Sequence, residues 1–291
     1  MTDMLAPGAF LNWTIGKKTL TSLSDGFNAV DYDVIHSVMP EKGAALQQTA
    51  HRPEKPVFTH TMFLIRGENH GPILVDAGMG NSAGPTLGWL PNSLAMAGVA
   101  PAEIDLILIT HLHPDHCFGL LDENGRAVFP NARLAMHRDE HEFWFKADGE
   151  ARAPDTLKPY FDQVRASAEP YRDRITFFRD GEVAPGVTAV PLAGHTPGHS
   201  GFKISSGGEE IFLWADIIHM PAIQPALPDA GVIHDVDPIA AAATRRRVFA
   251  EVAAGNQLVA GCHLEFPSVA RLALDGEAYR LIPEFWPHAA L

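Results

Sequence analysis

Residues 110–120 read THLHPDHCFGL and put His111, His113, Asp115 and His116 within six positions. Such a cluster can be a metal site, a buried polar network or a set of unrelated surface histidines. It begins where DLILITH (105–111), a short apolar run of buried-strand length, comes to an end. The same event recurs along the chain: His195 follows VTAVPLAG, Asp216 follows IFLWA and His263 follows QLVAGC. Each time an apolar strand stops and a polar side chain is delivered just past it, so distant residues can converge at one edge of a layered structure. Imidazole and carboxylate together suit zinc and other borderline divalent metals. Seven such donors exceed one tetrahedral ion and suit two ions sharing a carboxylate. A buried histidine paired with a carboxylate is often only structural, but the H-x-H-x-D-H spacing with three further strand-end donors favours the metal reading.

Working outward, strands and helices alternate. KTLTSLSDGFNAVD (18–31) opens as an alternating strand that stops at the turn signal Asp25-Gly26. Residues 33–60, with prolines at 40, 53 and 56, are expected as a long surface excursion. TMFLIRG (61–67) and PILVDAG (72–78) read as a hairpin, 93–104 as a helix broken at Pro101, and RLAMH (133–137) as a strand. A helical region spans about 138–172 with interruptions at Pro154 and Pro159. ITFFR, VTAVPL, GFKISS and IFLWAD are four more strands between 175 and 216. A proline-rich loop (219–237) precedes an Ala-rich helix at 238–254, and the chain closes on QLVAGCHLEFP and a strand near YRLIP. No internal repeat and no low-complexity tract is visible.

Composition narrows the class. A chain of 291 residues is compatible with a single domain, and at that size a core can form without disulfides. Two cysteines, Cys117 and Cys262, exclude a disulfide framework or a Cys-rich zinc module. A formal charge of −13 argues against a nucleic-acid partner. MTDMLAPGAFLNW lacks the basic and apolar regions of a signal peptide, and no run approaches the about 18 apolar residues of a membrane span. A cytoplasmic protein with no membrane partner is the expectation.

His111-Leu112-His113-Pro114-Asp115-His116, Gly194-His195-Thr196-Pro197-Gly198-His199, Asp216 and His263 together resemble the metallo-β-lactamase-fold hydrolase superfamily, over about residues 18–285. Within it the chain looks most like the methyl parathion hydrolase group, related to the acyl-homoserine lactonases, from LSDG, HLHPDH, GHTPGHS, WADIIH and HLEFPSVARLALDGEAYRLIP. The resemblance implies an α/β fold, a four-layered αβ/βα sandwich with a metal cleft between the sheet edges. It implies that His111, His113 and His195 hold one ion, that Asp115, His116 and His263 hold a second, and that Asp216 bridges them. Asp76 matches the strand-end aspartate that orients a ligand histidine, and His199 would tune the site from outside the ligand set. Two divalent ions, zinc or else manganese, iron or cobalt, and a homodimer are implied. One departure concerns substrate: lactonases of this kind carry a Tyr three residues after the bridging Asp, and here that position is His219.

Three local motifs compete for attention. His137-Arg138-Asp139-Glu140-His141 has the H-x-x-E-H spacing of an inverted zinc-protease motif, but a solvated first helical turn is the favoured reading. Asp76-Ala77-Gly78-Met79-Gly80 lacks a third glycine at dinucleotide-loop spacing, so its glycines serve close approach to the cleft. Cys117 and Cys262 neighbour proposed ligands but are expected as small buried filler. Phe143, Trp144, Phe145, Tyr160 and Phe161 are expected in the core, and Met220, Ile223 and Leu227 in the loop 219–236 are expected to wall the substrate pocket.

The function that follows is hydrolysis of a small neutral ester, a lactone or an aryl ester, by a hydroxide bridging two metal ions, with organophosphate triesters as a further substrate class. Asp115 and His219 are the candidates for proton transfer to the leaving group. Thiolester and β-lactam hydrolysis, or metal sensing without turnover, are the alternatives. Nuclease and flavin-linked branches need basic surface or added domains that this chain lacks.

Overall fold

A computed structural model describes residues 7–82 and 84–286. The strands, in chain order, are β1 (Phe10–Ile15), β2 (Lys18–Ala29), β3 (Ile35–His36), β4 (Val57–Arg66), β5 (Ile73–Val75), β6 (Leu106–Leu108), β7 (Arg133–His137) and β8 (Ile175–Phe178). They continue as β9 (Gly181–Ala184), β10 (Val187–Pro191), β11 (Ser200–Ser206), β12 (Glu209–Leu213), β13 (Gly231–Val232), β14 (Leu258–Ala260), β15 (Val269–Asp275) and β16 (Ala278–Pro283). Two seven-stranded sheets result, ordered β1-β2-β4-β5-β6-β7-β8 and β16-β15-β14-β12-β11-β10-β9. The α-helices are α1 (Pro40–Thr49), α2 (Leu90–Met96), α3 (Pro114–Cys117), α4 (Arg138–Phe145), α5 (Gly149–Arg152), α6 (Phe161–Ala168) and α7 (Pro238–Ala254).

Strand alternation sorts the apolar side chains into layers, because successive residues of a strand face opposite ways. Phe63, Ile65, Val75, Leu106 and Leu108 of the first sheet meet Phe202, Ile204, Ile211 and Leu213 of the second. Their neighbours Leu64, Leu74, Ile107 and Leu134 face outward and are covered by Leu94 of α2, Phe143 and Trp144 of α4, and Phe161 and Val164 of α6. On the far side Phe212, Trp214 and Val259 pack against Val248, Phe249 and Val252 of α7. The chain is therefore a helix–sheet–sheet–helix sandwich. Burial on both faces explains why β5, β6 and the second half of β4 (Met62–Ile65) are continuous apolar runs.

Three sequence expectations change. The strand opening at Lys18 passes through Asp25-Gly26 as a bulge and continues to Ala29. Gly26 takes φ +106 there, and a Cβ would meet the Thr86 carbonyl. The segment 33–60 is more ordered than an excursion: Pro40 starts α1 at the helix N-terminus, where it costs no hydrogen bond, and β4 begins at Val57. β3 also pairs with β13, which ties this segment to the proline-rich loop. Strands β1, β9 and β15 escaped a pattern-based reading. RLAMH and the helix 238–254 fall where expected. No helix among the described residues is long and apolar enough to cross a membrane.

Candidate metal centre

The donors reach one cleft because they sit just past strand ends on neighbouring parts of the two sheets. After β6 the chain runs extended through His111 and His113, then Pro114 opens the one-turn helix α3, which carries Asp115 and His116. His195 follows β10, Asp216 follows β12 and His263 follows β14. Asp76 and Ala215 both adopt left-handed backbone, with φ of 60° and 49°. That conformation costs a residue with a Cβ about 1–3 kcal/mol. At Asp76 it is offset by hydrogen bonds from Thr110 N and Oγ1, at 2.8 and 2.7 Å, and from His116 Nδ1 at 2.8 Å.

Asp216 is the hub. Its Oδ2 lies 3.0 Å from His263 Nε2, 3.2 Å from His219 Nε2, 3.3 Å from His116 Nε2, 3.5 Å from His195 Nε2 and 3.6 Å from His111 Nε2. Asp115 Oδ2 is 3.4 Å from His263 Nε2 and 3.5 Å from His116 Nε2. His113 stands beside His111, Nδ1 to Nε2 at 3.1 Å. Single donor atoms of His111, His113 and His195 lie within 4.8 Å of one another, as do those of His111, His116 and Asp216.

Electrostatics favours a cation here. Burial, with His116 nearby, keeps His111 well below its usual pKa; burial and His195 do the same to His113, so both imidazoles present lone pairs. Burial opposes ionisation of Asp216, yet His116, His263 and His111 outweigh it and hold the carboxylate ionised. Burial likewise opposes charge on His116, and Asp216, Asp115 and Asp76 more than compensate. The inward nitrogens His113 Nε2, His116 Nε2 and His195 Nε2 and the oxygen Asp216 Oδ1 are buried without any hydrogen-bond partner. Orphaned groups of this kind are rare in proteins, and a borderline divalent ion fits these imidazoles and carboxylates.

The outer nitrogens are held in turn, as ligand histidines require. His116 Nδ1 donates to Asp76, His263 Nδ1 to the Thr59 carbonyl at 2.9 Å, and His195 Nδ1 to Asp235 Oδ1 at 2.7 Å. Asp235, from the proline-rich loop, was invisible in the sequence, where nothing but the adjacent His234 marks it. His199 is not among the inward donors. Its Nδ1 donates to the Leu192 carbonyl and its Nε2 accepts from the Asp216 amide, so it fixes the backbone of the hub. Burial drives His199 down to about 3, which keeps it neutral for that task.

Glu140 overturns the expectation of a solvated turn. It is fully buried, and burial raises its pKa. Its Oε1 accepts from the Leu112 amide and Trp144 Nε1, both at 2.8 Å. Its Oε2 accepts from Thr196 Oγ1 at 2.5 Å and the Gly198 amide at 3.1 Å. One carboxylate thus braces the HLHPDH loop against the GHTPGHS loop. Gly198 permits it, since a Cβ there would strike the Glu140 amide at 2.2 Å. His137 caps the same helix, Nδ1 accepting from the Asp139 amide. The H-x-x-E-H spacing therefore serves a strut and a cap.

Cys117 and Cys262 are buried thiols; burial pushes Cys117 up to about 12 and Cys262 higher still. Phe143, Trp144 and Phe161 are core, whereas Tyr160 lines the cleft. The cleft, of about 500 Å³, is walled by Val30, Val34, Phe58, Phe118, Leu157 and Tyr160, with His60, His219 and His234 facing the donors. Met220, Ile223 and Leu227 do not wall it. They pack with Ile35, Phe58 and Val232 in a separate cluster, because the β3–β13 pairing turns them inward behind Phe58. His60, in mid-strand, was also missed. It belongs with Asp115 and His263 in a further group of convergent donors.

Comparison with known proteins agrees with this architecture. The N-acyl homoserine lactonase AiiA of Bacillus thuringiensis subsp. kurstaki is 27% identical over 163 residues, 50% of this chain and 57% of that protein. The chain thus spans little more than half the length of the curated relatives it matches. The solved structure of AidC, described as a dizinc quorum-quenching lactonase in complex with a product, superposes with a TM-score of 0.92 at 25% identity, covering 97% of this chain and 99% of that one. The hydrolase AbOPH of the beta lactamase superfamily superposes with a TM-score of 0.89 at 28% identity, covering 96% and 99%. Residues 56–263 match the metallo-beta-lactamase superfamily. With its sandwich, its strand-end donors and that match in agreement, the chain belongs to the metallo-beta-lactamase superfamily.

Proposed function

We propose that the cleft is the active site of a metal-dependent hydrolase acting on a small, largely apolar neutral ester, a lactone or an aryl ester, with organophosphate triesters as a side reaction. The observation that carries this is the set of unpartnered imidazole nitrogens around Asp216 at the floor of an apolar-walled cleft. The likeness to proteins named as lactonases supports the lactone reading. His111, His113 and His195 would hold one divalent ion, and Asp115, His116 and His263 a second. Asp216 would stand between them, and zinc is the first candidate by ligand type. Bound there, the pair would supply Lewis acidity and acidify water near neutral pH.

The protein's own groups do the rest. Val30, Val34, Phe58 and Leu157 hold the apolar part of the substrate and exclude water. Asp115 carries protons to the leaving oxygen, since its carboxylate is 17% exposed toward the cleft while that of Asp216 is 2% exposed. His219, driven by burial down to about 4, is neutral at pH 7 and offers an N–H to a substrate oxygen rather than a full positive charge.

Protein of measured metal content, assayed on lactones, aryl esters and phosphotriesters, tests the proposal. Hydrolysis is expected for at least one class, lost on chelation and restored on metal return. A fully metal-loaded protein inert to all three classes would sink it and leave metal sensing as the function.

A further inference from the structure

We infer that His60 is a protein ligand to the second ion, so that this site offers His60 together with Asp115, His116, His263 and the shared Asp216. The inference rests on the metal-dependent reading above. It takes the site beyond the donors that the strand-end pattern supplies, because His60 lies within β4 and not past its end.

The geometry points to it in three ways. First, His60 Nδ1 is buried and has no hydrogen-bond partner, the same signature as the inward nitrogens of His113, His116 and His195. It lies 3.2 Å from Asp115 Oδ2 but off the direction in which a ring N–H would point. Second, the opposite nitrogen is anchored as in the other ligand imidazoles. Nε2 faces Asn28 Oδ1 at 2.7 Å, and Asn28 is a near cross-strand neighbour on β2, where Gly26 pairs with His60 and Asn28 with Phe58. An amide oxygen only accepts, so Nε2 carries the ring proton and Nδ1 is left with a lone pair. Third, His60 Nδ1 and Asp115 Oδ2 lie 3.2 Å apart with no hydrogen bond joining them, two acceptor atoms side by side, an arrangement that a shared cation relieves. The ring also packs edge-on against His263, centroids 5.0 Å apart, so its nitrogen is brought to the side of the cleft where Asp115 and His263 meet.

A fifth donor changes which ions the second site suits. Four donors are enough for tetrahedral zinc, whereas an additional imidazole favours ions that accept five or six ligands, such as cobalt, iron or manganese in the divalent state. The two positions should therefore differ in affinity and in spectrum.

Cobalt(II) loaded into the wild-type protein, His60→Ala and His60→Asn provides the test. Wild type is expected to take two equivalents. His60→Ala should release its second ion to a competing chelator with an affinity about tenfold or more lower. Its visible d–d absorption should intensify as the coordination number falls. In His60→Asn the side-chain oxygen sits where imidazole Nδ1 sat, so affinity and spectrum should return part of the way, which a merely structural histidine would not require. Asn28→Ala, which frees the ring without touching its donor, should shift the same readouts in the same direction by less. Circular dichroism and Tm of the metal-free forms verify that each variant folds. If His60→Ala holds both ions with wild-type affinity and spectrum, the inference falls while the metal-dependent function stands. If the wild-type protein takes up no ion, both fall.

Discussion

At the scale of single residues, His219 is the position expected to separate binding from turnover. It touches Asp216 through Nε2, and its Nδ1 has no partner, so no neighbouring group anchors its outer side as Asp235 anchors His195. His219→Ala is expected to leave metal content unchanged while lowering kcat at least tenfold for esters with poor leaving groups, and much less for activated aryl esters. Steady-state kinetics across a leaving-group series, with metal analysis of the same samples, decides this; a uniform loss would assign His219 to binding instead. The residues legible in the sequence were those that follow apolar strands: His111, His113, Asp115, His116, His195, Asp216 and His263. Those missed have no such punctuation. His60 lies inside a strand, Asp235 lies in a loop without periodicity, and Glu140 carried a misleading helical spacing. Their roles exist only once β4, the proline-rich loop and α4 have been folded against the ligand loops.

At the scale of elements, α4 acts as a brace. Its first turn inserts Glu140 between two ligand-bearing loops, and its last turn buries Trp144, whose Nε1 satisfies the same carboxylate. Glu140→Gln keeps the shape but replaces an acceptor by an NH2 group facing N–H or O–H donors. Leaving a buried donor unsatisfied costs about 1–3 kcal/mol. Affinity for the ion proposed at His111, His113 and His195 should fall about tenfold, as for other groups that orient ligands. Chelator competition at the two ions should show the loss mainly at that one; equal weakening of both would make Glu140 a global stabiliser. The elements themselves were read unevenly. RLAMH was legible as a short apolar run, and the helix 238–254 because its alanine-rich composition favours a helix. β1, β9 and β15 were not, because half-exposed edge and hairpin strands mix polar residues without clean alternation, and Pro40 looked like a breaker where it starts a helix.

At the scale of the whole molecule, the donors straddle the sandwich. His60, His111, His113, Asp115 and His116 come from the first sheet, and His195, Asp216 and His263 from the second. Direct ties between the halves near the site include Thr61 N to the Cys262 carbonyl at 2.9 Å, Ser200 N to the Thr110 carbonyl at 2.9 Å and Thr61 Oγ1 to Ser268 Oγ at 2.7 Å. An ion that binds only the folded form at about a hundred times its Kd adds roughly 2.7 kcal/mol of stability. For a chain of this size that raises Tm on the order of 5 °C. Scanning calorimetry with and without chelator should show the shift, and an unchanged Tm would mean that the two halves are held together without the ions. The apolar runs marked buried strands, whereas the four-layered arrangement came only from the resemblance of the ligand motifs to a known family.

The chain order of the donors has a consequence in time. Synthesis releases His111, His113 and His195 before α7 and β14 exist, and His263 emerges 47 residues after Asp216. A chain ending ahead of β14 would therefore carry every imidazole proposed for the first ion and lack the last one proposed for the second.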